Sequence, residues 1–179
     1  MKFNISMDIE DVRVKIKRKN KILFNLDSAC LQELLAVFDS YDRKTIVLWA
    51  FNCSKWIVKY LEDKYQDSIF SDAYDMAYRF AKGEVKLYDA KRYILEVHGF
   101  AKRINDSYDI ALCHALGQAI SSAHVKKHGM GLVFYELTAL VLLNGLDEET
   151  IKNRICYYID MMHDAYKVKD KYQWAKFMS

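Results

Sequence analysis

Proline is absent from this 179-residue chain, and glycine occurs only six times. All-β folds and α/β folds with many tight turns use both residues heavily, so their scarcity favours helices. A strong charge excess is also missing. The net charge of +3 is too small by itself to indicate a nucleic-acid ligand. The four cysteines have no C-x-x-C spacing and lie in apolar helical patterns, which is typical of buried thiols in a reducing compartment.

Long apolar runs are lacking too. None reaches the roughly 20 residues that a membrane-spanning helix needs, and the N-terminus lacks the basic start and apolar stretch of a signal peptide. We therefore predict a cytoplasmic protein with no membrane partner. Hydrophobic residues make up 52% of the chain and charged residues 28%, a globular balance. The length suits one domain spanning residues 1–179.

Residues 1–27 differ from the rest of the chain and form a variable N-terminal extension. Apolar and basic residues alternate from Val12 to Lys17, and alternation resumes from Ile22 to Leu26 after a polar pair. A period of two around a polar turn favours a short β-hairpin. A basic amphipathic helix is the alternative. Six basic residues lie between Arg13 and Lys21, and such clusters are usually solvated faces, so we predict no nucleic-acid partner.

From Ser28 onward the apolar spacing is helical. Apolar residues at spacings of three and four predict successive helices. The first covers residues 42–62, the next ends at Gly83, and another starts near Glu84. The remaining helical segments are 107–128, 132–144 and the C-terminal region 147–179. Asp147 is placed to cap the helix that follows it. The prediction is an all-α fold: a single compact bundle of about six to eight helices, with the N-terminal hairpin or an extra helix added.

The segment from Ser107 to His128 is the most informative. One side is an apolar stripe, and the other carries small residues and imidazoles, which are His114, Gly117, Ser121, His124 and His128. Lysine and glutamate are nearly absent from both sides. We therefore predict that both faces of this helix are covered, and that its histidines, with His98 and Glu136, form a polar seam or line a pocket.

A metal site is the sharper interpretation of these histidines. His124 and His128 are four residues apart and could supply two zinc ligands from one helix, with His98 or Glu136 as a third. Val125 occupies the position where a metalloprotease helix carries its glutamate. We therefore predict no bound metal and no cofactor. His128 is expected in the last turn of the helix, where a charged imidazole interacts favourably with the carboxyl end.

Glu136 lies within an otherwise apolar helix. A buried carboxylate must be paired or neutralised, and His98, His124, His128 and Arg103 are the candidate partners. Two interpretations stay open. Glu136 is either one half of a structural ion pair or a carboxylate that lines a pocket.

Several separated motifs carry a family resemblance. They are Asp42-Arg43 followed by Leu48-Trp49-Ala50 and Cys53, the run from Arg79 through Gly83 to Glu84, and the stretch from Ala111 to Leu140. In this order, over about residues 42–143, they resemble the bacterial immunity-protein family of toxin–immunity systems. The resemblance implies an all-α domain that acts as the antidote to a toxin, with no catalytic residues. The family positions correspond to Asp42, Arg43, Trp49, Gly83, His98, Gly117, His124 and His128.

Two functions follow as hypotheses. The first is an immunity protein, not an enzyme, that neutralises its cognate protein toxin by direct binding. The alternative is a small-molecule or metal-binding helical protein, with hydrolysis as its candidate reaction, whose pocket uses His98, His124, His128 and Glu136. Convergence of those four side chains on one open cavity would favour the alternative. The sequence gives no oligomeric state.

Overall fold

A computed structural model describes residues 7–179, and within that range the chain forms eight α-helices and no β-strand. The helices are α1 (Glu10–Lys17), α2 (Gln32–Ser40), α3 (Arg43–Tyr65), α4 (Ile69–Lys82), α5 (Leu87–Phe100), α6 (Ser107–Ser121), α7 (His128–Asn144) and α8 (Glu148–Val168). Three single turns of 3₁₀ helix lie at Ala29–Leu31, Lys169–Lys171 and Lys176–Met178. The predicted all-α bundle is confirmed.

Within residues 7–27, the N-terminal segment contains the alternative helix and not the favoured β-hairpin. Residues 1–6 of the predicted extension lie outside the described part of the chain. In α1 the acidic residues fall in the first turn and the basic residues in the last, an arrangement that the helix dipole stabilises. The following residues, up to position 27, form turns and irregular segments, and none of them pairs as a strand. The Leu23 amide instead donates to Thr138 Oγ1 of α7 over 3.0 Å, and the side chains of Leu23 and Phe24 are buried.

Short-range capping fixes several of the helix boundaries. The carboxylates of Asp42, Asp106 and Asp147 accept backbone hydrogen bonds at the starts of α3, α6 and α8. Each carboxylate satisfies amides that have no partner within the helix. Gly83 ends α4 in the left-handed conformation, with φ at +82°. The predicted cap at Asp147 and the predicted stop at Gly83 are both present.

Gly83 offers a direct test of this boundary. A Cβ there would lie 3.1 Å from the Ala175 Cβ, in a backbone conformation that side chains rarely adopt. We expect Gly83→Ala to lower the free energy of unfolding by about 1–2 kcal/mol in urea titrations. Gly99→Ala is the matched control, because Gly99 is helical and nothing lies within 4 Å of its added Cβ. The control should be neutral or stabilising by up to about 1 kcal/mol, and equal effects of the two changes would contradict the prediction.

Helix α6 lies at the centre of the bundle. It packs on α3, α4, α5 and α7, and its buried residues point in several directions around its axis, among them Asp109, Leu112, Leu116, Gly117 and Ile120. The expected coverage on both faces is therefore observed. Because α6 and α7 are antiparallel neighbours joined by a short linker, side chains from both meet along one line.

The predicted continuous helix from Ser107 to His128 is wrong in one respect. Helix α6 ends at Ser121, and residues 122–127 turn before α7 begins at His128. The hydroxyls of Ser121 and Ser122 donate to the carbonyls of Gly117 and Ala119, each over 2.6 Å. Such bonds compete with the helix ladder and suit a helix end. Gly129 lies in the first turn of α7.

Candidate functional site

Four histidines follow one seam between helices α5, α6 and α7. His98 comes from α5, His114 from α6, and His128 from the first position of α7, whereas His124 lies in the turn between α6 and α7. All four side chains are half-buried. The structure therefore brings the predicted histidines together, although they arrive from four separate segments and not from one helix face.

His98 and His114 form the inner pair of this seam. Their Nδ1 atoms lie 3.0 Å apart and their rings stack with centroids 5.3 Å apart, so one ring donates and the other accepts. Gly117 makes room for them, because a Cβ at that position would lie 2.5 Å from two atoms of the His98 ring. The space left by the missing side chain of Gly117 is filled by an imidazole of the chain itself.

His128 and His124 form the outer pair, with ring centroids 5.3 Å apart. His128 Nδ1 donates to Gln118 Oε1 over 2.8 Å. The expected position of His128 in the last turn of a helix is wrong, because it begins α7. Its imidazole therefore faces the positive end of a helix dipole, which disfavours the charged form.

The two residues do not have the arrangement that the zinc interpretation requires. His124 and His128 do not share a helix, so the i, i+4 arrangement does not exist. Among residues 7–179, no three histidine, cysteine or acidic side chains are grouped so that they could hold a metal ion. Glu136, the proposed third ligand, contacts other partners, as described below.

Burial holds the seam in its neutral form. Burial first, and then the neighbouring His114 and His128, together lower the pKa of His98 to about 4. Burial also lowers the pKa values of His114, His124 and His128. Since each charged imidazole would lose hydration and meet another imidazole, the seam favours four neutral rings near pH 7.

Glu136 lies apart from the histidines. Its side chain is 1% exposed and accepts hydrogen bonds from the Arg154 guanidinium and the Tyr158 hydroxyl, both on α8. The four partners suggested by sequence, namely His98, His124, His128 and Arg103, were therefore wrong. Burial raises the pKa of Glu136, while the adjacent guanidinium and hydroxyl oppose that rise. Of the two open interpretations, the observed contacts are those of an ion pair inside the bundle.

The Asp42-Arg43 pair joins three parts of the chain. Asp42 caps α3 by accepting from the Thr45 amide, and it pairs with Lys169 Nζ at 2.9 Å. Arg43 donates to the carbonyls of Ala123 and His124 at 2.8 and 3.0 Å. It also donates to a carbonyl of the C-terminal tail. This pair fixes the α6–α7 turn and the C-terminus against the start of α3.

Trp49 is fully buried in the core. Its ring meets Phe38 and Tyr158 edge to face, each at a centroid distance of 5.9 Å. Gly129 lies against the same ring, since a Cβ there would be 3.3 Å from Trp49. Together with Asp42, Arg43, Gly83 and Gly117, Trp49 therefore makes contacts that hold the helices in place.

A buried carboxylate that the sequence interpretation missed is Asp109 on α6. It is fully buried, accepts from the hydroxyls of Tyr60 and Tyr65, and pairs with Lys64. In sequence it resembles an ordinary acidic residue in a first helical turn. The available signal was its position three residues before Leu112, on the buried side of the helix.

A cleft of about 640 Å³ lies between the N-terminal segment, the turn that follows α5, and helices α6 and α7. The residues that define this α5–α7 cleft are Lys21, Ile22, Lys102, Ile110, His114 and Leu142. Of the seam histidines only His114 reaches it, next to Tyr135, whose ring centroid lies 5.0 Å from that of His114. The sequence did not indicate this cleft.

The fold and these contacts define an all-α protein built around a buried α6–α7 hairpin, with its imidazoles and carboxylates engaged inside the bundle. Residues 36–163 match the family model described as "Imm-5 like putative immunity protein". Because this match covers well over half of the chain, the protein belongs to that family. Searches of curated proteins and of solved structures gave no significant match. None of the described helices is both long and apolar enough to cross a lipid bilayer.

Proposed function

We propose that this protein is a non-catalytic immunity protein that neutralises a cognate toxin by binding it directly. Membership of the immunity-protein family over residues 36–163 is the observation that carries the proposal. Neutralisation by binding requires a rigid, complementary surface and no poised acid or base. A helical bundle fixed by buried polar contacts is suited to that requirement.

The arrangement of the candidate residues supports binding over turnover. The alternative requires His98, His124, His128 and Glu136 to converge on one open cavity. Instead, Glu136 is bound by Arg154 and Tyr158, and His98 is packed between His114 and Gly117. The side chains that a hydrolytic or metal site would need are therefore distributed over separate contacts.

Co-expression with the toxin encoded by the neighbouring gene tests the proposal. We expect the protein to restore growth and to co-purify with the toxin as a complex of fixed stoichiometry. A toxin that carries an inactivating substitution should still co-purify, because binding does not depend on its activity. An unrelated helical protein expressed at the same level is the control and should restore no growth.

A titration of purified components separates binding from catalysis. If the protein acts by occlusion, residual toxin activity should fall linearly and reach zero at a fixed molar ratio, without further loss over time. An enzyme that inactivates the toxin would instead abolish its activity at substoichiometric amounts, given time. The second result, or growth rescue without any complex, would refute the proposed function. Metal analysis of the same preparation tests the alternative, which requires a stoichiometric ion.

A further inference from the structure

We propose that the α5–α7 cleft binds an acidic segment of the toxin, with one apolar side chain of that segment inserted between Ile22, Ile110 and Leu142. This inference rests on the proposed function and adds to it the surface and the chemistry of the contact. Part of the cleft, His114 and Tyr135, belongs to the family motif from Ala111 to Leu140, whereas the other motifs do not line it.

The interior of the cleft fits an apolar anchor. Its volume of about 640 Å³ is within the range of pockets that enclose a large side chain and its neighbours. Ile22 and Leu142 are 38% and 49% exposed, and Leu143 beside them is 59% exposed. Large apolar side chains left open around a concave surface are typical of a binding site.

The charge around the cleft selects the sign of the partner. Lys21 and Lys102 line it, and none of its lining residues is acidic. The next depression shares Leu142 and includes Asp106, but that carboxylate pairs with Lys64 at 3.3 Å. A segment carrying aspartate or glutamate next to its apolar anchor would therefore gain attraction from both lysines, whereas a basic segment would be repelled.

Part of the cleft lies inside the region that matches the family, and part lies outside it. Three of its sides come from the turn after α5 and from helices α6 and α7, inside the family match, whereas Asn20, Lys21 and Ile22 precede residue 36 and lie outside it. The part outside the family match is fixed in place, because the Leu23 amide donates to Thr138 of α7 and Phe24 is fully buried. Selective recognition of one toxin requires contacts that its relatives cannot make equally well. A pocket that combines residues inside the family match with residues outside it can supply that selectivity.

Charge and apolar substitutions in the cleft test the inference against the purified product of the neighbouring toxin gene. We expect Lys102→Glu to weaken binding by about tenfold and to reduce its salt dependence, and Leu142→Asp to weaken it by at least about tenfold. Lys86→Glu and Leu95→Asp are the matched controls. Lys86 precedes α5 and Lys102 follows it, and Leu95 is 58% exposed on the same helix. Both controls should bind within about twofold of the wild type.

Each outcome has a defined meaning when all variants keep the wild-type circular dichroism and melting temperature. Loss of binding in the two cleft variants alone supports the inference. Wild-type affinity in both cleft variants, with the wild type still bound to the toxin, overturns the cleft assignment and leaves the proposed function intact. Weaker binding with Leu142→Asp but tighter binding with Lys102→Glu refutes the acidic segment. If the wild type itself does not bind, the proposed function fails, and this inference fails with it.

Discussion

Replacing Glu136 with leucine is expected to lower the free energy of unfolding by about 3–5 kcal/mol. Glu136 is almost fully buried and accepts hydrogen bonds from Arg154 and Tyr158. Leucine removes both acceptors, which leaves a guanidinium without its counter-ion and a buried hydroxyl without a partner. Breaking a buried ion pair on one side costs far more than the pair itself contributes. Chemical denaturation by urea at pH 7 measures the loss.

Removing the whole polar group provides the control. In the triple variant Glu136→Leu, Arg154→Met and Tyr158→Phe, no buried charge or hydroxyl is left unpaired. We expect this variant to regain most of the lost stability, since apolar residues of similar volume often replace a buried ion pair without net cost. A triple variant as unstable as Glu136→Leu alone would indicate that shape, and not charge pairing, sets the cost.

Glu136→Leu should leave toxin binding per folded molecule unchanged. The carboxylate contacts α8 inside the bundle and does not line the α5–α7 cleft. Affinity measured well below the unfolding midpoint should therefore match that of the wild type. Unchanged stability with lost binding would reverse the interpretation, and Glu136 would then belong to the binding site.

The sequence predicted those features that depend on neighbours along the chain. The scarcity of glycine and proline and the three-and-four spacing of apolar residues identified the helices. Asp147 and Gly83 marked their boundaries, because capping involves residues only a few positions apart. The mixed composition of residues 107–128 also indicated a helix covered on both sides, and α6, which ends at Ser121, occupies such a position.

The features that were missed depend on contacts between distant segments. Helical periodicity continued through Ser121 to His128, so it could not indicate that the chain turns back there. Arg154 is Glu136's partner because α7 and α8 are adjacent, and its only local signal was its position four residues before the inward-facing Tyr158. The α5–α7 cleft takes residues from four separate stretches of sequence, so no local motif describes it.

Stability should fall by up to about 3 kcal/mol as the pH is lowered from 6.5 to 4, because of His98. Its pKa is about 4 in the folded protein, against 6.5 for an ordinary histidine, chiefly through burial. Between these two pKa values His98 is protonated in the unfolded chain but neutral in the folded chain, so acid favours unfolding. The contribution is fully present above pH 6.5 and is lost progressively down to pH 4. His114, His124 and His128 have lowered pKa values for the same reason and act in the same direction.

This pH window separates the imidazoles from the exposed carboxylates, and the raised pKa of the buried Glu136 opposes a loss of stability in acid. Hydrogen bonds from Thr150 and Lys82 lower the pKa values of Asp147 and Glu84 from ordinary values of 3.8 and 4.5. Stability that depends on those carboxylates is therefore retained until the pH falls below about 4.5, so most of the loss above that point belongs to the histidines.

Urea titrations at pH 7.0, 5.5 and 4.5 should show how steeply the free energy of unfolding falls with pH. His98→Gln keeps a hydrogen-bonding group beside His114 but cannot titrate, so its slope should be shallower by up to about 1.4 kcal/mol per pH unit. An unchanged slope in that variant would mean that the buried histidine pair does not control acid stability.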